Sequence, residues 1–310
     1  MFFKNLVPYT FTRDFALDAA ELEKRLKENQ FVPCGDHDSK KIGWVAPTLK
    51  EGGESLVHAA NGCILIAMKE QEKLLPPKVV KEMLEARVEE KELELGRTLK
   101  RKEKSDLKDD IIKLNLPKAF VTSKTTYAVI MPELDLLFVN ATNRSAAEKL
   151  TTFLRKTIGS LPVSIPTTKK PVSTVMTEWL RTGAPEGYEL GDKVDLMHPV
   201  EGGGTVKMAN KDLAGEEVAF MLEQEHMATV MTLKRAEVAT FTITEDLLVK
   251  GVTFESEILD QNDDIADDKL ARFDADFDLM CRETSVLFAS LVELFGGLED
   301  STIQEKVTKE

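Results

Sequence analysis

Residues 97–120 read RTLKRKEKSDLKDDIIKLNLPKAF. Eight basic residues stand here: Arg97, Lys100, Arg101, Lys102, Lys104, Lys108, Lys113 and Lys118. Four acids oppose them, Glu103, Asp106, Asp109 and Asp110, so the stretch is about four charges positive inside a chain whose formal net charge is −13. A local reversal of sign makes a field that anions feel. The stretch closes on Leu116-Pro117-Lys118-Ala119-Phe120, a proline-bounded apolar tip. Two readings stand side by side. One is a solvated helix face; the other is a phosphate-binding arm with a contact residue at its end.

Working outward, Pro76-Pro77 opens a helix in which Val80, Leu84 and Val88 recur every fourth residue. The pattern breaks at Gly96, and a second helix is predicted from about Ser105, with Leu107, Ile111 and Leu114 as its stripe. Residues 76–115 therefore read as a protruding basic helical hairpin whose apolar stripes are too thin for core helices. On its N-terminal side lie a strand at 2–11 with Pro8 at an edge or bulge, a helix capped by Asp18 with Glu21, and a strand at Lys41–Ala46. A hairpin over 55–69 turns on Asn61-Gly62, the pair suited to a type I′ turn. On its C-terminal side come strands at 121–131 and 135–141 and a helix opened by Ser145 with Glu148 and closed by Gly159. Leu161–Pro171 reads as a linker.

The remainder alternates as strands over 188–196, 205–209, 227–234, 238–244 and 248–258, with helices at 172–182 and 215–225. A long helix over about 266–296 carries two apolar residues per heptad, widened by Phe288 and Phe295, which suits packing on a sheet. Its aspartates, Asp263, Asp264, Asp267, Asp268, Asp274, Asp276 and Asp278, are predicted on the solvent side or in the first turns. The expected class is α+β: mostly antiparallel sheets with packed helices, the helical hairpin and the long C-terminal helix. The expected domains are 1–75 with 116–165, the arm 76–115, and a C-terminal α+β domain over 166–310.

Composition bounds the function. A chain of 310 residues with 42% hydrophobic content can bury a sizeable core. It holds no apolar run of membrane-spanning length, and the N-terminus reads as no signal peptide. Three scattered cysteines suit a reduced cytosol. The acidic total permits nucleic-acid binding only through one segregated surface. Other chemistry falls away. Cys34, His37, His58 and Cys63 have ligand types, but Asn61-Gly62 already accounts for that neighbourhood as a hairpin. A calcium loop starting at Asp260 lacks its glycine and its closing glutamate, with Ile265 and Ala271 in those places. Gly202-Gly203-Gly204 lacks a P-loop ending. No catalytic constellation and no cofactor motif emerges.

Several strings then match one family in order along the whole chain. They are FFKNL (2–6), FVPCG (31–35), GWV (43–45), ANG (60–62), LKRKEKSDLKDD (99–110), LPKAF (116–120), LRKTIGSLPV (154–163), TEWLR (177–181), DQNDDI (260–265) and RFDADFDLM (272–280). The chain resembles the recombination-associated protein RdgC family. That resemblance implies a bacterial, cytoplasmic, nucleoid-associated protein without enzymatic activity or cofactor. It implies a homodimer closed into a ring around DNA, binding with little sequence preference and restraining RecA by competing for DNA. It also links Arg97, Lys118 and Phe120 to DNA binding and to the ring's opening interface, and Lys207 and Lys211 to a second DNA-facing segment. With the arm, the expected DNA contacts are Arg97, Lys100, Arg101, Lys102, Lys104, Lys108, Lys118, Lys207 and Lys211. Aromatics are sparse here, so duplex is expected over single strand, with single strands possible.

Phe120 has two homes at this point: its own subunit's core, or a pocket of a second subunit where it gates the ring. The alternative function is a regulator working mainly through protein–protein contacts, with the basic arm meeting an acidic protein surface.

Overall fold

The structure is a computed structural model and describes residues 2–200, 202–262 and 269–299. The first half contains β1 (Asn5–Phe11), α1 (Ala19–Lys27), β2 (Lys40–Val45), β3 (Val57–Ala60), β4 (Cys63–Leu74), α2 (Pro77–Leu95), α3 (Arg101–Asn115), β5 (Phe120–Met131), β6 (Leu136–Val139) and α4 (Arg144–Ile158). The second contains β7 (Val163–Ser164), α5 (Val172–Thr182), β8 (Tyr188–Met197), β9 (Thr205–Ala209), α6 (Glu216–Glu223), β10 (Met227–Arg235), β11 (Ala239–Thr244), β12 (Val249–Phe254), α7 (Ser256–Leu259) and α8 (Lys269–Leu294). Twelve strands join one antiparallel sheet in the order β2-β4-β5-β6-β1-β12-β11-β10-β8-β9, with β3 on β4 and β7 on β1. The class is α+β, as the sequence predicts.

Two compact units divide the chain: residues 1–26, 46–66 and 126 onward form one, and 27–45 with 67–125 form the other. In the larger unit α8 is the organising helix. It buries Phe273, Phe277, Met280, Leu287, Phe288 and Leu291 in a core shared with strand residues such as Phe138 and Phe241. Phe288 meets Phe138 edge-on at 5.2 Å between ring centroids. Burying each such side chain contributes about 1.5–3 kcal/mol, which favours a sheet-packed helix over a free coiled coil. The β3–β4 turn has Asn61 at φ 45° and Gly62 at φ 76°, the left-handed pair that a type I′ turn demands.

The smaller unit holds β2, most of β4, the α2–α3 hairpin and the start of β5. Trp44 is fully buried here. Gly43 beside it has no room for a side chain, since a Cβ would stand 2.3 Å from Phe31 Cα. Gly96 ends α2 at φ 61°, and the chain turns back into α3. Val80, Leu99 and Leu116 are the buried residues of the hairpin, while no residue of α3 itself is fully buried.

Several local expectations are corrected. Pro8 lies on an inner strand, not an edge: β6 flanks it on one side, and on the other β12 pairs only with Asn5 and Leu6 and β7 only with Thr10 and Phe11. The proline falls in that gap, where its missing N–H costs no ladder bond. α3 begins at Arg101 rather than Ser105, because Glu103 reaches back to accept the Lys100 N–H at 2.8 Å. Its stripe runs Leu107, Ile111 and Asn115, which leaves Leu114 72% exposed. Asn143, not Ser145, caps α4 by accepting the Ala146 N–H at 2.9 Å. The supposed linker is tied down: Val163–Ser164 pairs with β1, and Thr168 bridges to Leu298. The strand predicted to Ile258 stops at Phe254, and Ser256–Leu259 is helical. Asp263, Asp264, Asp267 and Asp268, and with them much of the rejected calcium loop, lie outside the described residues.

Candidate nucleic-acid interface

The basic stretch divides by partner. Arg97 donates to both carboxylate oxygens of Glu103, at 3.0 and 2.8 Å. Arg97 and the Lys100 N–H together hold the Glu103 carboxyl down to about 2. Glu92 accepts the Leu99 N–H at 2.8 Å and lies 3.2 Å from Lys104 Nζ. The backbone donor first, then Lys104, lowers the Glu92 carboxyl below its ordinary value. These pairs are exposed and screened by solvent, so each contributes little to stability and yields readily to a competing phosphate.

Arg101, Lys102, Lys108 and Lys118 are exposed and make no ion pair with described residues. Helical spacing sorts the first three. Arg101, Lys104 and Lys108 fall on one stripe, while Lys102 shares its face with Asp106 and Asp109, which offset it. Lys118 sits in the 3-10 turn Leu116–Lys118 that leads into β5. Phe120, the first residue of β5, is 84% exposed. It is therefore no core residue of its own chain. The strand stays exposed on both faces through Thr125, and Lys124 lies within that run. Sequence reading passed over Lys124; the signal was the loss of apolar alternation in TSKT.

Two grooves flank the hairpin. The one at the Gly96 end, about 590 Å³, pairs Leu84, Val88 and Leu93 with three carboxylates, Glu85, Glu89 and Glu92. The one at the other end, about 490 Å³, is lined by Leu75, Pro77, Val80, Leu84, Ile112 and Leu116, with Lys73, Lys81 and Lys108 and no acid. Lys73 is 8% exposed and donates to the Asp36 carbonyl at 2.8 Å.

Lys207 and Lys211 belong to the larger unit. Lys207 on β9 faces Asp195 on β8 across the ladder, 3.2 Å from its carboxylate. Lys211, in the turn beyond β9, lies 3.0 Å from Glu217. Among the described residues no three His, Cys, Asp or Glu side chains converge as a metal site would need. No helix among them is long and apolar enough to cross a membrane.

A family model described as "RdgC: Putative exonuclease, RdgC" matches residues 1–298. The chain belongs to the RdgC family. The recombination-associated protein RdgC of Psychromonas ingrahamii is 42% identical over 299 residues, covering 96% of this chain and 99% of that protein. Its namesake from Aeromonas hydrophila subsp. hydrophila is 41% identical over 303 residues, covering 97% of this chain and all of the relative. That of Tolumonas auensis is 40% identical over 299 residues. The family match thus spans both units and every candidate residue above.

Proposed function

We propose that this RdgC-family chain acts in recombination as a DNA-binding protein that closes as a two-fold dimer around duplex DNA and limits RecA's access to it. The observation that carries the reading is the open end of the α2–α3 hairpin. There Lys108, Lys118 and Lys124 are unpaired with described residues, beside an 84% exposed phenylalanine, in a chain of net charge −13. Contacts of this kind go to phosphates, which fix position without reading sequence. The acidic remainder repels DNA elsewhere.

Closure rests on Phe120 and the lysine-lined groove. Both lie in the smaller unit, so a two-fold axis lets each subunit's Phe120 enter the other's groove reciprocally. The apolar lining suits a phenyl ring. The name of the family model raises nuclease activity as a second reading, and incubation of labelled duplex with Mg²⁺ or Mn²⁺ separates the two: retention without degradation is expected. The direct test is retention of circular plasmid compared with linear duplex. A closed ring holds the circle against dilution, and Phe120→Ser releases it; equal release by both proteins contradicts the ring.

A further inference from the structure

Within the larger unit the β3–β4 hairpin runs along one face of α8, and three contacts mark the register. His58 Nε2 on β3 lies 2.9 Å from Asp274 Oδ1, although the two are not aligned as a hydrogen bond. The His58 ring meets Phe273 and Phe277 edge-on at 5.0 and 5.1 Å. Asn61 in the turn donates from Nδ2 to Asp278 Oδ1 at 2.6 Å. Next, Cys63 at the start of β4 meets Cys281, thiol to thiol within hydrogen-bond reach. Positions 274, 278 and 281 are spaced four and three residues apart, so they share one helix face. The Cys63–Cys281 contact is therefore the third rung of a packed interface.

Neither cysteine is in a disulfide; Cys63 is half-buried and Cys281 5% exposed. They line one cavity of about 250 Å³, which also holds Leu134 and Ser285. Glu133 and Asp278 outnumber Arg282 on its wall, so the cavity favours an uncharged visitor over an anionic one. The contact with Cys63, then burial, pushes the Cys281 thiol up, which leaves the more exposed Cys63 as the first nucleophile. None of the DNA-facing residues is involved.

We propose that Cys63 and Cys281 form a thiol-oxidation site that closes to a disulfide by exchange with a small uncharged disulfide. In the first step the Cys63 thiolate attacks one sulfur of the reagent. A Cys63–reagent bond forms, the reagent's S–S bond breaks, and the departing thiolate takes up the proton that Cys63 gave. In the second step Cys281 loses its proton and attacks the Cys63 sulfur, which expels the second reagent thiol. Two cysteine thiols are oxidised and one disulfide is reduced to two thiols. The new bond joins residues 218 apart in sequence, restricting the unfolded chain across most of its length.

The test treats the native full-length protein with bis(2-hydroxyethyl) disulfide and maps its peptides without reduction. The expected product is a Cys63–Cys281 cross-linked peptide. Cys34, whose Sγ is satisfied by the Gln71 carbonyl at 3.5 Å, remains a thiol at the same dose. The melting temperature should rise by several degrees and return on reduction. In the Cys281→Ser variant Cys63 should stop at the mixed disulfide, which carries the reagent's added mass. A wild-type protein that stops there too, with Cys281 still a thiol, would overturn the proposal. So would Cys34 reacting ahead of Cys63.

Discussion

The two ends of the α2–α3 hairpin are built from the same helices yet present opposite chemistry. At the Gly96 end, Glu85, Glu89 and Glu92 line the groove, and Arg97 and Lys104 are answered by Glu103 and Glu92. At the other end the groove carries no acid; of its three lysines Lys81 lies 3.6 Å from Glu85 and Lys73 is buried on the Asp36 carbonyl, which leaves Lys108, and Lys118 beyond it, unpaired with described residues. Leu84 contributes to both grooves. The contrast teaches that charge counted along a sequence is not charge presented to a ligand. Much of the stretch's apparent basicity is answered by its own carboxylates, and the remaining field gathers where the strand β5 emerges.

The largest expected effect reverses the open end. Lys108→Glu with Lys118→Glu should lower duplex affinity about 10²-fold near 0.1 M salt, on the order of tenfold for each phosphate no longer neutralised. Neutralising Arg97 and Lys104 instead should lower it only about threefold, since both start out paired. Fluorescence anisotropy on a short duplex compares the two, and an inverted order breaks the contrast between the ends.

A smaller change, opposite in sign, comes from Glu92→Gln with Glu103→Gln. Freeing Lys104 and Arg97 should raise affinity by up to about tenfold at low salt, an effect that fades as salt screens it. No gain would mean that those cations face away from DNA.

The third lever is pH. The Glu103 carboxyl is held down to about 2 from its ordinary 4.5 by Arg97 and the Lys100 N–H. A depressed carboxylate contributes stability that is fully present above about 4.5 and is lost as pH falls through about 2. An NMR titration should find Glu103 still ionised at about pH 3.5, and Arg97→Gln should move its midpoint toward 4.5. Titration at the ordinary value in the wild type would remove the pair from solution.

Smallest is the stability effect of Phe120→Ser. With the ring 84% exposed in the single chain, the cost to the subunit's own fold should stay within about 0.5 kcal/mol, any further loss being that of the dimer contact. Trp44→Ala, at a fully buried site in the same unit, should cost about 3–5 kcal/mol. Thermal melts of the two variants decide whether Phe120 stands apart from the core.

Much of the fold was legible where signals were local. Asn61-Gly62 named its turn, Val172–Thr182 and Thr205–Ala209 matched their observed bounds, and the phenylalanines of α8 announced a wide buried face. What failed depended on partners distant in sequence. Pro8 is tolerated on an inner strand only because two short strands leave a gap beside it. Val163 and Ser164 look like linker until β1 is placed next to them. The site was legible as a sign reversal, but not its division into answered and unanswered cations. Arg97–Glu103 spans six residues around a turn, Lys104–Glu92 crosses between helices, and Lys207–Asp195 crosses a ladder. Such pairings are set by the fold, and periodicity does not report them.

The most direct test of DNA binding through the open end is the salt dependence of duplex affinity. Log affinity should fall linearly with log salt for the wild type, with a slope of about −0.9 for each phosphate neutralised. For about six to ten neutralised phosphates, affinity falls roughly 10³- to 10⁵-fold between about 50 and 200 mM salt. Replacing Arg101, Lys108 and Lys118 together by glutamine should make the slope shallower by about three phosphates, on any duplex sequence. An unchanged slope in that triple variant would contradict the claim that these residues hold the DNA.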